Sequence, residues 1–324
     1  MNPSPCIVTG GTSFIGRHLV KRLLKEKWPI TLLVRNSSKL PEDWHGRMEI
    51  VEGDIRKKDS LSKLPFEGRI VFHLAGEIGE KSLFFDINVI GTENLIGLAA
   101  PAKIKHFIYL SSAGVIGHPG QERIDETTPC HPLNGYERTK HEGEKVLMKY
   151  CERNQVPLTL LRPSTVFGEG SKNQSFLGWM RSIKNRTFWL IGSRAFANYI
   201  YVGDVVEALL LISKGNRSSK DVFILSDTKP MQEFVHSAAE ILGVKIPETP
   251  IPRWIALWVA GAFTPTMRFF GKTFPLTVSR VKALTDQRFF SAEKIKKELG
   301  FQPKFGIVEG LLRTLQWYER EGLL

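Results

Sequence analysis

The stretch Cys6-Ile7-Val8-Thr9-Gly10-Gly11-Thr12-Ser13-Phe14-Ile15-Gly16 decides the fold. Its first residues are a short apolar run that closes on glycine, which reads as a buried strand. From Ile15 to Lys25 the apolar residues Ile15, Leu19, Val20, Leu23 and Leu24 recur at helical spacing, with Arg and Lys between them. That pattern predicts an amphipathic helix directly after a glycine turn. Working outward, the alternation continues: strands are expected at 30–34, 48–51, 69–74, 107–110 and 158–161, with helices around 88–100 and 137–153. Parallel neighbours need a crossover and helices supply it, so this order predicts an α/β fold built on a doubly wound parallel sheet.

Beyond residue 165 the alternation loosens. A helix is expected at 204–213, a strand at 222–225, a helix at 231–242, and a further helix capped by Ser291 and ended by Gly300. There is no internal repeat and no flexible linker rich in Gly and Ser. We therefore divide the chain into a sheet domain, 1–165, and a smaller C-terminal substrate-binding region, 166–324, partly woven back onto the sheet.

The composition is that of an ordinary globular chain, with 324 residues, 42% hydrophobic and 24% charged, and this excludes a disordered segment. Lys and Arg number 45 against 33 Asp and Glu, a net charge of +12. Such an excess fits nucleic acid, an anionic membrane or a phosphate-bearing small molecule. The cations are spread along the chain without a basic tail, so nucleic acid is not expected. Residues 250–324 hold 12 cations and 6 carboxylates, half of the excess. Cys6, Cys130 and Cys151 lie far apart without zinc-ligand spacing, so neither a metal nor a disulfide framework is expected. Met1-Asn2-Pro3-Ser4-Pro5 leads straight into the first strand with no signal peptide, and the expectation is a cytoplasmic setting. The longest uncharged apolar run, 254–263, is about half of what a membrane-spanning helix needs.

The glycine turn carries the first chemistry. A dinucleotide pyrophosphate needs close backbone approach, and a helix N-terminus aims free N–H groups and positive potential at it. Gly10, Thr12, Ser13, Phe14 and Ile15 are thus the expected phosphate cradle, with Ser13 where the fingerprint has its middle glycine. The second strand ends at Val34-Arg35, where an acid would bind a ribose 2′-hydroxyl. Arginine suits a 2′-phosphate instead, so NADP is expected over NAD.

Tyr136 and Lys140 stand four apart, on one face of a helix. A phenol is a poor base at neutral pH, and a nearby ammonium favours its phenolate. The pair reads as a proton shuttle for an alcohol or a carbonyl oxygen. Ser111-Ser112 closes a predicted strand at the end where open α/β sheets bind ligands, and a hydroxyl there can hold the reacting oxygen.

Together these motifs resemble the extended short-chain dehydrogenase/reductases, a superfamily that includes the NAD-dependent epimerase/dehydratase and 3β-hydroxysteroid dehydrogenase-like enzymes. The opening turn, Gly53-Asp54-Ile55, His73-Leu74-Ala75-Gly76, Asn88-Val89-Ile90-Gly91-Thr92-Glu93-Asn94-Leu95, Leu110 to Gly117, Leu161-Arg162-Pro163 with Gly168, and Tyr201 to Val205 all match its pattern. The resemblance runs from residue 6 to about 210, and 294–318 fits its closing helices. It implies a Rossmann sheet with Ser112, Tyr136 and Lys140 as catalytic groups. It further implies Asp54 near the adenine amino group, and Ile55, Leu74, Ala75, Gly76 and Pro163 along the cofactor. Ser13, Gly76 and Ile116 depart from the pattern without removing a catalytic group. Ala113-Gly114 after Ser112, where dehydratases carry an acid, argues against a sugar dehydratase.

The expected function is an NADP(H)-dependent oxidoreductase that interconverts a secondary alcohol and a ketone on a fairly apolar molecule, steroid-, isoprenoid- or flavonoid-like. The alternatives are a nucleotide-sugar 4-epimerase with bound NAD and a non-catalytic NADP-binding interaction protein. A homodimer through the helices near Asn88 and Tyr136 is expected by the same resemblance. His73 reads as structural, and Asp125-Glu126 as a solvated turn. The aromatic and basic stretch 252–272 fits domain core, an apolar pocket lining or a peripheral membrane contact.

Overall fold

Strands buried on both faces read as near-continuous apolar runs, and five of the central strands are buried along their whole length. The computed structural model describes residues 3–192, 194–215, 220–269 and 277–324, the side chains of 263–269 and 279–280 excepted. Its central sheet has seven strands: β1 (Cys6–Thr9), β2 (Ile30–Val34), β3 (Glu49–Glu52), β4 (Ile70–His73), β5 (His106–Leu110), β6 (Leu158–Pro163) and β7 (Lys220–Leu225). All pair in parallel, in the order 7-6-5-4-1-2-3. This is the expected doubly wound Rossmann sheet, extended at one edge by a strand from the second half of the chain.

The reversal of strand order falls between β1 and β4, where Thr9 lies opposite His73. That crevice at the C-terminal strand ends is the binding position in such sheets. His73 in turn faces Tyr109, and Leu110 faces Leu161. The residues following β1, β4, β5 and β6 therefore share one edge.

Helices cover both faces. On one, α1 (Phe14–Lys25) packs with α5 (Val202–Lys214) through Leu19, Leu23, Val205 and Leu209. On the other, α2 (Gly91–Ala99) and α3 (Gly135–Asn154) pack through Leu95, Ile96, Leu147 and Cys151. A π-helical turn, Asp86–Ile90, precedes α2. By length and composition the run Lys81–Ala102 could cross a membrane, but it lies against α3 with 56% of its most apolar window buried. A third core joins α4 (Gln174–Lys184), α6 (Met231–Ile241) and α10 (Gly306–Arg320) through Phe176, Met180, Phe234 and Leu311.

Buried Asp204, at the start of α5, ties this third layer to the sheet domain. Its carboxylate accepts from the backbone N–H groups of Lys304, Phe305 and Gly306 at 2.7–3.0 Å, which caps α10. The remaining helices are α7 (Arg253–Phe269), α8 (Val278–Leu284) and α9 (Glu293–Leu299). Ser291 is not the cap of α9; Ala292 is, and the Ser291 hydroxyl only accepts a long bond from Glu293 N at 3.4 Å. Glu126 is not on a solvated turn either. It is half-buried and accepts from Ile224 N of β7 at 2.7 Å, because that strand leaves the N–H facing the turn.

Candidate active site

The glycine turn is set by what presses on it. Gly10 has φ +69°, and a Cβ there would stand 2.5 Å from Ala75 N; a Cβ on Gly16 would stand 2.1 Å from Gly10 O. Only glycine fits both places. The turn therefore lies against Leu74-Ala75, and the backbone stays bare where a pyrophosphate would approach. Ser13 is the N-cap of α1, its hydroxyl accepting from Gly16 N at 3.2 Å. The oxygen thus serves the helix end, while the N–H groups of Phe14 and Ile15, in the first turn, have no intrahelical acceptor. Thr12 and Ser13 are exposed at the mouth of this cradle.

His73 fastens the floor. Thr92 Oγ1 donates to Asn88 O at 2.9 Å, so it accepts from His73 Nε2–H at 3.0 Å. The bare Nδ1 then accepts from Thr9 Oγ1 at 2.7 Å, and that oxygen accepts from Ala75 N at 3.2 Å. Full burial pushes the imidazole down to about 3, so it stays neutral and structural.

Asn88, fully buried, joins the β4 loop to α3. It accepts from Glu77 N at 2.9 Å and donates to Glu77 O at 3.1 Å and to Thr139 Oγ1 at 3.0 Å. Asn94 holds the adenine-side segment by donating to Ile55 O at 2.9 Å, and Gly91 lets Ile55 pack directly on α2. Asp54 itself is occupied: Arg56 grips both carboxylate oxygens at 2.5–3.0 Å and holds it below the usual carboxylate range. Arg35 is exposed at the end of β2 and has no ion pair among the described residues, while its charge lowers both Asp54 and Glu77.

The Ser, Tyr and Lys come together beside this cradle. α3 opens with a capping box, Asn134 and Glu137 exchanging side-chain and backbone bonds at 3.0 and 3.3 Å, which sets Tyr136 in its first turn. Ser112 caps the short 3₁₀ turn Ala113–Ile116, accepting from Gly114 N at 3.1 Å, and its hydroxyl lies beside the Tyr136 phenol. Phe84 packs edge-on against Tyr136 with ring centroids 6.1 Å apart. Burial pushes the phenol up to about 12, and the neighbouring Ser112 hydroxyl works against that rise.

Lys140 is 3% exposed. Its ammonium donates to Leu110 O at 2.8 Å and lies 3.9 Å above the Tyr109 ring. Gly76 is close by, since a Cβ on it would stand 3.8 Å from Nζ. Burial brings Lys140 down to about 7, opposed by the Glu144 carboxylate.

Glu144 and Arg162 were not among the expected site residues, yet they underlie it. Arg162 bonds both oxygens of the fully buried Glu144 carboxylate, Nε to Oε1 at 2.9 Å and Nη2 to Oε2 at 2.7 Å. Ser111 donates to the same carboxylate at 2.5 Å, and its acidity lies at about 2 despite burial. Only the spacing Lys140-x-x-x-Glu144 gave a sequence signal, one helical turn apart. Cys130, His141 and Glu144 have ligand atoms within 4.8 Å of one another. The Arg162 guanidinium already bonds both oxygens of that carboxylate.

Pro163, at the end of β6, completes the shared edge. The residues of 252–272 do not join this constellation in any described contact, and 270–272 lie outside the described residues.

A cofactor with a pyrophosphate fits this arrangement: a cradle that any Cβ would fill, a helix N-terminus behind it, and a hydroxyl, a phenol and an ammonium at the neighbouring strand ends. Comparison with known proteins agrees. The family model described as "NAD dependent epimerase/dehydratase family" matches residues 6–225. A 3beta-hydroxysteroid-dehydrogenase/decarboxylase (isoform 1) of Arabidopsis thaliana is 29% identical over 96% of this chain and 78% of its own length. An N-acetyl-alpha-D-glucosaminyl-diphospho-ditrans,octacis-undecaprenol 4-epimerase of Escherichia coli O157:H7 is 26% identical over 96% and 94%. The crystal structure of UDP-glucose 4-epimerase from Thermotoga maritima, with UDP-glucose, has the same fold: TM-score 0.73, 21% identity, 99% of each chain covered.

Proposed function

The chain belongs to the NAD dependent epimerase/dehydratase family, and from that premise we propose that it is an NADP(H)-dependent oxidoreductase. It interconverts a secondary alcohol and a ketone on a fairly apolar substrate, of steroid, isoprenoid or flavonoid type. The observation that carries this reading is the placement of Ser112 beside the Tyr136 phenol, with Lys140 one helical turn further on, at the strand edge that also bears the glycine cradle. The hydroxysteroid dehydrogenase named above supports the apolar substrate. Arg35, exposed and without an ion pair among the described residues, supports a 2′-phosphate.

When bound, the nicotinamide ring supplies or receives the hydride. Ser112 orients the substrate oxygen through its hydroxyl. In the reductive direction Tyr136, protonated throughout the neutral range, donates its phenolic proton to that oxygen as the carbonyl carbon gains the hydride. In the oxidative direction the phenolate takes the alcohol proton, and the neighbouring Ser112 hydroxyl favours that phenolate. Asn88 and His73 hold the β4 loop in place beside the cradle.

The second reading, a 4-epimerase, is favoured by the Escherichia coli relative, which is matched over nearly its whole length. Turnover on a panel of hydroxysteroids and their ketones, with Tyr136→Phe alongside, tests the first. The wild type should turn over with NADPH or NADP⁺, and the variant should lose about 10²–10⁴ in kcat with cofactor affinity retained. Full activity of Tyr136→Phe would remove the phenol from the mechanism.

A further inference from the structure

The cations are spread along the chain, but the carboxylates that offset them are not. Residues 170–203 and 249–285 each carry five Lys or Arg and no Asp or Glu. These two segments, under a quarter of the sequence, hold ten of the net twelve positive charges. In the structure they meet. Ile251 N donates to Leu190 O at 2.8 Å, and Gly192 N donates to Ile251 O at 3.0 Å. Arg194 and Arg253 line one groove at this junction.

The same junction is where the exposed tryptophans lie. Trp189 is 51% exposed, and on α7 Trp254 and Trp258 are 72% and 70% exposed. α7 is turned inside out. Its bulky Trp254 and Trp258, one turn apart, face outward with Gly261 and Ala262, while the small Ala256 and Ala260 are packed inward. The outward face bears no charge from Trp254 to Ala262. Trp is at home at a membrane–water interface, where its ring sits among headgroups, and cations around it meet anionic lipid.

We propose that this face, Trp189, Trp254 and Trp258 with Arg194 and Arg253 at the same junction, docks the protein on an anionic lipid bilayer surface. A second copy of the chain is disfavoured as occupant, because two such faces would bring together arginines that have no ion pair among the described residues. The inference stands on this surface alone, whatever the substrate.

The test is co-sedimentation of the full chain with vesicles of phosphatidylcholine, with and without phosphatidylglycerol, at low and high salt. Binding is expected on the anionic vesicles at low salt, and at least tenfold weaker binding on phosphatidylcholine alone or in high salt. Trp254→Ser with Trp258→Ser, and separately Arg194→Glu with Arg253→Glu, should each weaken it at least tenfold, with circular dichroism and NADPH binding unchanged. Absence of binding at low salt, or equal binding to both vesicle types, would overturn the proposal. So would sedimentation equilibrium showing a dimer that the tryptophan variants dissociate, since a second copy would then cover the face.

Discussion

Replacing Glu144 by Gln removes one charge from beneath the site and leaves its shape. Arg162 would then keep a guanidinium whose side chain is 5% exposed, with no carboxylate to neutralise it. Breaking a buried pair from one side costs about 3–5 kcal/mol. Unfolding entropy near the transition is about 2.1 cal/mol/K per residue, or roughly 0.7 kcal/mol/K over the 324 residues. The expected fall in Tm is therefore about 4–7 °C, read by calorimetry. The effect should be specific to the orphaned charge. Glu144→Leu with Arg162→Leu, which removes both, should recover most of the loss, since apolar replacements of buried pairs are often neutral. Glu144→Gln also takes away the carboxylate that raises Lys140, so that lysine should become still less basic. A Tm shift below 1 °C, or a double variant no more stable than Glu144→Gln, would refute the reasoning.

Two further predictions follow from charge. Lys140 is lowered from 10.5 to about 7, so between those values the unfolded chain binds the extra proton and stability should rise with pH. Above about pH 10 the raised, buried phenols of Tyr136, Tyr199 and Tyr201 should reverse that slope. Lys140→Met should flatten the rise from pH 7 to 10 in denaturant titrations; an unchanged slope would show that Lys140 is not the group responsible. Arg35→Asp should weaken NADPH at least tenfold in fluorescence titrations while leaving NADH little changed. A wild type that prefers NADH would cancel the 2′-phosphate assignment.

Much of this was legible in the residues. The unbroken apolar runs and the helical spacing between them placed every central strand within two residues at each end. The glycine turn announced its contacts because a Cβ at Gly10 or Gly16 has nowhere to go. Ser112, Tyr136 and Lys140 are local motifs, and α3 brings the last two together by its own pitch. What escaped is long-range or directional. Glu144 meets Arg162 and Ser111 across 18 and 33 residues, and no spacing reveals such a pair. Asp54 is claimed by Arg56, two residues on, a choice made by a turn and not by a periodicity. Ser13 looked like a departure from a phosphate fingerprint and proves to be a helix cap. In α7 the sequence shows two faces, one with tryptophan and one with alanine, but hydropathy alone sends the tryptophans inward. The packing sends them out.

The oxidoreductase reading differs from the epimerase reading in one countable quantity, the net change in cofactor per molecule of product. The direct measurement is nicotinamide absorbance followed against product formation with a steroid ketone and NADPH, for wild type and Tyr136→Phe. The account predicts one NADPH consumed for each alcohol formed, and a rate lost in the variant. Product appearing with no net change in the cofactor would contradict it.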